Sequence, residues 1–511
     1  MLDQAQTRPE APALFHKKQA WNYAELAALC QTVAGSLIQQ GLKPGDRLAI
    51  YLPKQIEMVV GCFATNLAGA AFIPVNPVLK HAQVGHILRD SGARMLITSP
   101  ERLTTLRDEL DQCPEIKTII LTGDKVADGQ IAWSSLCASG EQTDLPAVKG
   151  DDLCAILYTS GSTGKPKGVA LSQDNMIIGA DSVATYLENG PDDRLLAVLP
   201  FSFDAGFSQL TTGFSRGAAV VLLDYLLPRD VIRHLERFEC TGLTAVPPLW
   251  VQLAQLDWPE SVQNKLRYIA NTGGAMPQAT LRALRDKLPN TDVFLMYGLT
   301  EAFRSTYLPP SELDARPESM GKAIPNVGVA VVREDGTECG PEEPGELVHA
   351  GPLVAQGYWQ DPERTAERYK PTPPCLAEWG PISVWSGDLV KKDADGFLYF
   401  IGRRDGMIKT SGYRVSPTEI EEVLYSSGLV GEVVALGTPH PQLGQAIVLV
   451  VTPRADGNTG DDEAITTTCK AELPAYMAPA HIDRLDSLPR NPNGKIDRNA
   501  LGEKYKTLFQ N

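Results

Sequence analysis

Apolar residues in the first two hundred positions follow two alternating periods. From Ala24 to Gln39, and again from Gln55 to Leu67, they recur every three or four residues, the spacing of a helix with one buried face. Residues 84–91 repeat that spacing. Between these stretches lie short unbroken apolar runs at 47–52, 71–75, 94–98 and 117–121, which read as strands buried on both faces. The rhythm resumes with strands at 194–198 and 218–223, a helix at 228–238, and short buried strands at 244–246 and 268–270. A strand–helix–strand rhythm predicts parallel sheets layered with helices. From Gly328 to about Phe400 the runs shorten and Gly/Pro turns multiply, predicting a small β subdomain. Beyond about Met407, a helix at 417–426 and strands at 433–436 and 446–451 predict a separate small α+β domain. The expected fold is therefore α/β: a large N-terminal domain of layered α/β sheets carrying a β subdomain, and a small C-terminal domain. The expected division is 1–402, a hinge at 403–405, and 406–511.

Composition narrows the function classes. A chain of 511 residues is too long for one core and implies about two to four domains or subdomains. A net charge of −15 argues against nucleic acid or an anionic membrane as the main partner. The 9 cysteines are dispersed, which excludes the paired spacings of zinc and redox sites and fits a reducing compartment. The longest uncharged stretch, 58–79, is broken by Asn66, Pro74, Asn76 and Pro77, so no membrane span is expected. The first residues lack the basic start and apolar core of a secretory signal, so a cytoplasmic location is expected.

The chemistry concentrates in a few short stretches. After the apolar run 153–157 comes Tyr158-Thr159-Ser160-Gly161-Ser162-Thr163-Gly164-Lys165-Pro166-Lys167-Gly168. Glycines let a backbone bend toward a ligand, hydroxyls and N–H groups donate, and two lysines add positive charge; together they suit a polyphosphate. The common P-loop ends in Gly-Lys-Ser/Thr and opens a helix, whereas Pro166 follows Lys165 here, so this is a phosphate loop of another kind. Tyr297-Gly298-Leu299-Thr300-Glu301 follows a strand. Glu301 suits a magnesium ion or, equally, the start of a helix; Thr300 suits a phosphate, and Tyr297 suits a base. Asp388, in Ser386-Gly387-Asp388, suits ribose hydroxyls or a turn. Lys495 sits on the glycine-containing turn Asn493-Gly494-Lys495, exposed and ill-suited to a core.

Taken in order, with the Gly273-Gly274-Ala275 turn, Gly345-Glu346-Leu347 and the stretch 402–419, this set resembles the AMP-forming adenylating superfamily: acyl-CoA synthetases, adenylation domains of non-ribosomal peptide synthesis, and luciferases. The resemblance covers nearly the whole chain. It implies ATP-dependent activation of a carboxylic acid to an acyl-adenylate with loss of pyrophosphate, then transfer to a pantetheine thiol. ATP and Mg²⁺ are implied as cofactors, with CoA or the phosphopantetheine of a separate carrier protein as acceptor. Lys495 would bridge the carboxylate and the α-phosphate. Glu301 with Mg²⁺ would steady the triphosphate, together with Thr300, Thr159, Ser160, Gly161, Ser162, Thr163, Gly164 and Lys167. Gly274, Ala275 and Tyr297 would frame the adenine, and Asp388 and Arg403 would bind the ribose. The C-terminal domain would rotate about Asp405 between half-reactions, bringing Lys409 and Gly412 to the thiolation face. A loop that closes on a triphosphate and then releases pyrophosphate is expected to be poorly ordered when empty. The 16 positions after Lys495 leave no room for a fused carrier, so the acceptor is expected on a separate molecule.

Substrate choice turns on residues 199–206, where many fatty and aryl acyl-CoA synthetases carry an aromatic–His pair. Here the pair is Phe203-Asp204, which resembles amino-acid adenylators, where an Asp binds the substrate ammonium. A carboxylate facing an acyl pocket is costly unless paired, and a cationic amino group would pair it. Asp204 would otherwise cap a helix starting at Ala205. Arg304 is expected to face the same pocket, either neutralising Asp204 or holding with it a substrate of both charges. Phe207 and Trp250, with Met296 and Phe303, are candidate pocket walls or plain core. The substrate expected is an amino acid. The alternative is a non-amino carboxylic acid, since 199–210 and 297–307 also resemble stand-alone acyl-CoA ligases of exosortase-type loci. Gln173 replaces a His of many relatives beside the acyl group.

Overall fold

The computed structural model describes residues 1–138, 144–159, 166–276, 278–403, 406–454, 457, 459–489 and 496–510. Two large sheets form the body. One has eight strands in the order Gly357–Tyr358, Lys167–Ser172, Leu153–Thr159, Ala71–Pro74, Arg47–Tyr51, Met95–Thr98, Thr118–Leu121 and Gln130–Ala132. The other has nine and is centred on Asp292–Tyr297, Tyr268–Asn271, Gly242–Ala245, Arg194–Ala197 and Ala219–Leu222. Near one edge Pro12–His16 joins Ala219–Leu222 in parallel across two hundred residues of chain, and Gln19–Asn22 forms the edge itself. The apolar runs are buried as their patterns predict; Ala71–Pro74 and Met95–Thr98 are buried at every position. Helices Tyr23–Gln39, Ile56–Leu67, Gln173–Tyr186 and Asp204–Arg216 share one core with both sheets. Side-chain caps mark the start of two of them, Tyr23–Gln39 and Gln173–Tyr186. Asn22 accepts from Glu25 N and Glu25 answers on Asn22 N, a capping box worth about 1 kcal/mol.

The sheets are mixed rather than parallel. Leu153–Thr159 and Lys167–Ser172 pair antiparallel, as a hairpin on either side of positions 160–166. A parallel return needs a crossover of a dozen or more residues, and the loop is too short for one. A third, antiparallel sheet is built from Gly328–Val332, Gly345–Ala350, Ile382–Lys392, Tyr369–Pro371 and Leu398–Arg403. The C-terminal sheet comprises Ile408–Thr410, Tyr413–Val415, Val433–His440, Gly444–Val451 and His481–Arg484, with apolar clusters of its own. No helix among the described residues is long and apolar enough to cross a membrane.

Candidate functional site

The strand ends and the C-terminal sheet enclose a cavity of about 610 Å³, a volume suited to a nucleotide-sized ligand. Thr159, Gly274, Ala275, Tyr297, Thr300 and Asp388 line one region of it; Asp204 and Arg304 line another; Lys409, Gly412, Tyr413 and Arg414 close it from the C-terminal side. Residues scattered from 159 to 414 therefore meet at one place. Phe207 and Trp250 do not line it. Phe207 stacks among Phe63, Phe72 and Phe201, and Trp250 is fully buried in the second core. Both lie on the packed face of their helices, where apolar periodicity places core and pocket residues alike. Met296 does line the cavity; Phe303 is buried behind it. Gln173 is the first residue of its helix and does not reach the cavity, so its departure from the His of many relatives leaves the lining unchanged. Ser160, Gly161, Ser162, Thr163, Gly164, Asp405 and Lys495 lie outside the described residues, and with them the expectation about loop order. Of Arg403 only the backbone is described; it sits opposite Asp388 in the strand register.

Glu301 is buried on a single 3-10 turn, Thr300–Ala302. Lys167 Nζ donates to Tyr358 Oη at 2.6 Å, and that hydroxyl donates to Glu301 Oε1 at 2.7 Å. The ammonium itself lies 3.6 Å from Oε1. Burial alone would raise the Glu301 carboxyl; Lys167, Arg414 and the Tyr358 hydroxyl outweigh it and bring it down to about 2. Its Oε2 has no hydrogen-bond partner among the described residues. A buried, ionised carboxylate with one free oxygen fits a hard divalent cation. The described residues contain no cluster of three acidic, His or Cys ligands, so phosphate oxygens and water would supply the remaining donors. Tyr358 was not foreseen: it comes from an isolated Gly357–Tyr358 edge strand whose pairing no local pattern announces.

Tyr297 and Asp388 anchor a second network. Tyr297 Oη donates to Asp388 Oδ2, while Ser386 and Gly387 turn the Asp388 strand, the Gly387 N–H donating to Glu346 at 2.9 Å. Gly387 has φ +70°, and a Cβ there would meet Arg368. His349 lies under Tyr297, ring centroids 6.1 Å apart. It is fully buried with neither ring nitrogen bonded among the described residues. Burial pushes its pKa down to about 4 against the pull of Asp388 and Glu301. The unfolded chain would take up this proton near 6.5, so stability is lost as pH falls from about 6.5 toward 4. Urea unfolding at about pH 7.5 and pH 5 is expected to show a loss about 2 kcal/mol smaller in His349→Leu than in the parent, from this site alone.

The C-terminal segment docks by specific contacts. Tyr413 packs edge-on against Phe203 at 5.0 Å and stacks on Tyr476 at 3.7 Å. Gln83 donates to Glu419 at 2.7 Å. Gly412, at φ +82°, presses on Val246; a Cβ there would come within 2.9 Å of the valine side chain. Gly412→Val is expected to lower the overall ligase rate more than the ATP–pyrophosphate exchange rate. The backbone strain at φ +82° is common to both steps, but the clash with Val246 is felt only where these two surfaces meet; a clash of about 1–3 kcal/mol corresponds to a split of about 5- to 150-fold. Equal loss in both assays would show that this contact serves neither step selectively.

Comparison with known proteins follows the same division. The family model described as AMP-binding enzyme matches residues 1–359, and that described as AMP-binding enzyme C-terminal domain matches 419–495. The chain is 34% identical over 94% of its length to an L-proline–(L-prolyl-carrier protein) ligase of Streptomyces coelicolor, spanning 91% of that protein. It is 30% identical over 98% of its length to a feruloyl-CoA synthase of Amycolatopsis, spanning 97% of it. It is also 30% identical over 98% of its length to a linear gramicidin synthase chain of Brevibacillus parabrevis, but spans only 9% of that protein. Among solved structures it is 29% identical to o-succinylbenzoate CoA synthetase of Bacillus subtilis, covering 98% of this chain and 97% of that one. The TM-score is 0.85 to a double mutant holding a CoA product analogue and 0.70 to the complex with the acyl-adenylate.

Proposed function

From the premise that the chain belongs to the AMP-binding enzyme family, we propose that it condenses an amino acid with ATP to an aminoacyl-adenylate, releases pyrophosphate, and passes the acyl group to a pantetheine thiol of a separate carrier protein or of CoA. The observation that carries the amino-acid reading is Asp204: a carboxylate at the cavity wall whose pKa burial pushes up, with Arg304 only partly offsetting it. A substrate ammonium placed there would supply the missing countercharge.

In the first step the substrate carboxylate attacks the α-phosphorus of ATP, and the bond to the pyrophosphate oxygen breaks. Charge on the phosphates is the main barrier, and fixed donors in a water-poor site lower it. Lys495 would hold the attacking carboxylate against the α-phosphate. Thr159, Thr300 and the loop 160–165 would hold the outgoing phosphates. Magnesium, when bound at Glu301, supplies charge neutralisation to the triphosphate, while the Lys167–Tyr358–Glu301 chain keeps that carboxylate ionised and oriented. Tyr297 and Asp388 would fix the nucleoside. In the second step the thiol sulfur attacks the acyl carbonyl and AMP leaves. The higher TM-score to the relative holding a CoA analogue, at equal sequence identity, supports reading the present arrangement as that of the transfer step. The placement of Lys409 and Gly412 on the cavity supports the same reading.

ATP–pyrophosphate exchange over amino acids and simple carboxylic acids tests the proposal. Exchange with at least one amino acid is expected, with Lys495→Ala reducing it by about 10²-fold or more. Exchange with aryl or fatty acids and no amino acid would overturn the reading of Asp204. Mass spectrometry of CoA against a loaded carrier protein separates the two acceptors.

A further inference from the structure

The cavity wall around Arg304 carries more polar capacity than an amino and a carboxyl group would use. Arg304 is 3% exposed. Its Nη1 donates to Thr272 Oγ1 at 2.9 Å; its Nε has no partner among the described residues, and it forms no ion pair there, with Asp204 or any other carboxylate. A guanidinium at this depth is ordinarily matched by an anion, because taking a charge out of water is costly. Behind it lies a small second cavity of about 20 Å³, and Ala205, Met296 and Arg304 line both. Gln209 faces that inner space, 6% exposed, with neither its amide oxygen nor its nitrogen bonded among the described residues. The hydroxyls of Ser208 and Thr212 meet each other at 3.2 Å. Val183, Leu187, Leu195 and Leu196 make much of the inner space apolar, so the Arg304 Nε and the Gln209 amide are the polar atoms there that lack a partner among the described residues, and leaving buried polar atoms unpaired is costly.

Charge balance then selects the ligand. Asp204 takes one positive group, on the reading of it given above, and Arg304 takes one negative group that is distinct from the reacting carboxylate. The inner space admits about one or two heavy atoms, since a water needs about 10–15 Å³. A side chain carrying that group therefore ends at Arg304, with little room beyond it. Resting on the assignment of Asp204 to the ammonium, we propose that the acid activated is an amino acid whose side chain ends in a carboxylate, held by Arg304 with Gln209 behind it. Arg304 and Gln209 are thus specificity residues, separate from those that hold ATP.

The test is exchange by the full chain with L-aspartate, L-glutamate, L-asparagine, L-glutamine, L-leucine, L-2-aminobutyrate, succinate and glutarate. One of the two acidic amino acids is expected to exceed its carboxamide and the apolar amino acids in kcat/KM by about tenfold or more. Arg304→Met is expected to remove about 100-fold of that for the acidic substrate and to narrow or reverse the preference over the apolar ones. Arg304→Lys, which keeps the charge but not the fork, is expected to retain an acidic preference with a raised KM. The ranking by the unaltered chain stands whether or not the variants fold. A preference for leucine or 2-aminobutyrate would overturn the inference and leave the reading of Asp204 intact. A preference for succinate or glutarate over every amino acid would overturn the reading of Asp204 on which it rests.

Discussion

Glu301→Gln is expected to lower ATP–pyrophosphate exchange by about 10²–10³-fold, the usual cost of removing one preorganised electrostatic group from a charged transition state. The substitution keeps an oxygen for the Tyr358 hydroxyl but deletes the charge that Lys167 faces at 3.6 Å. Lys167 is largely buried and loses this countercharge, and breaking a buried pair from one side costs about 3–5 kcal/mol. Urea denaturation beside the exchange assay separates the two effects. A variant as stable as the parent with exchange still lost would place the charge in catalysis alone. The pH dependence has a definite sign. A carboxyl held at about 2 stays ionised through any ordinary assay range. The stability it contributes is present above its unfolded value near 4.3 and is lost only as pH falls toward about 2. An acid limb of activity near neutrality would have to come from another group.

Asp204→Asn is expected to act in opposite directions on function and stability. Exchange with the preferred amino acid should fall by about 10²-fold or more, since a buried charge partner of the ammonium is lost. Stability at neutral pH should rise. Burial raises the folded pKa of this carboxyl, so its ionisation is a penalty present above that pKa, and the penalty disappears as pH falls below the unfolded value. Removing the ionisable group relieves the free enzyme of that penalty, a familiar trade of stability against a functional charge. Chemical denaturation near neutral pH, with exchange measured in parallel, reads both. Undiminished exchange in Asp204→Asn would remove the amino-acid reading; a fall in stability would show that Asp204 supports the fold rather than the substrate.

Much of the architecture was legible because buried strands and amphipathic helices leave local periods. The helix read at 24–39 is Tyr23–Gln39, and the strand read at 47–52 is Arg47–Tyr51. Strand direction was not legible at the phosphate loop, because an apolar run looks the same whichever way its neighbour runs. Only the shortness of the connection decides for a hairpin. The helix expected to begin at Ala205 begins at Asp204 with Phe203 at its cap, so Asp204 is not its capping residue. Among candidate pocket walls, Phe207 and Trp250 could not be told from core, since both roles ask for a large apolar side chain on a buried face. Gln209 carried a usable signal: an amide between Phe207 and Leu210, where the helix turns its apolar side inward, is a polar group in want of a partner.

The sequence by itself determined the chemistry class. Its signals are contiguous: a Gly/Ser/Thr/Lys loop after a strand, Thr300-Glu301 after another, Asp388 after a third. Each motif needs only its own neighbours to exist. Only the tertiary structure decided how charges answer one another. That Tyr358 joins Lys167 to Glu301, that His349 lies buried beneath Tyr297, and that Asp204 and Arg304 share a wall without pairing all depend on sheet order and on the docking of distant segments. Electrostatic matching is a property of distances across space, and no spacing along the chain encodes it.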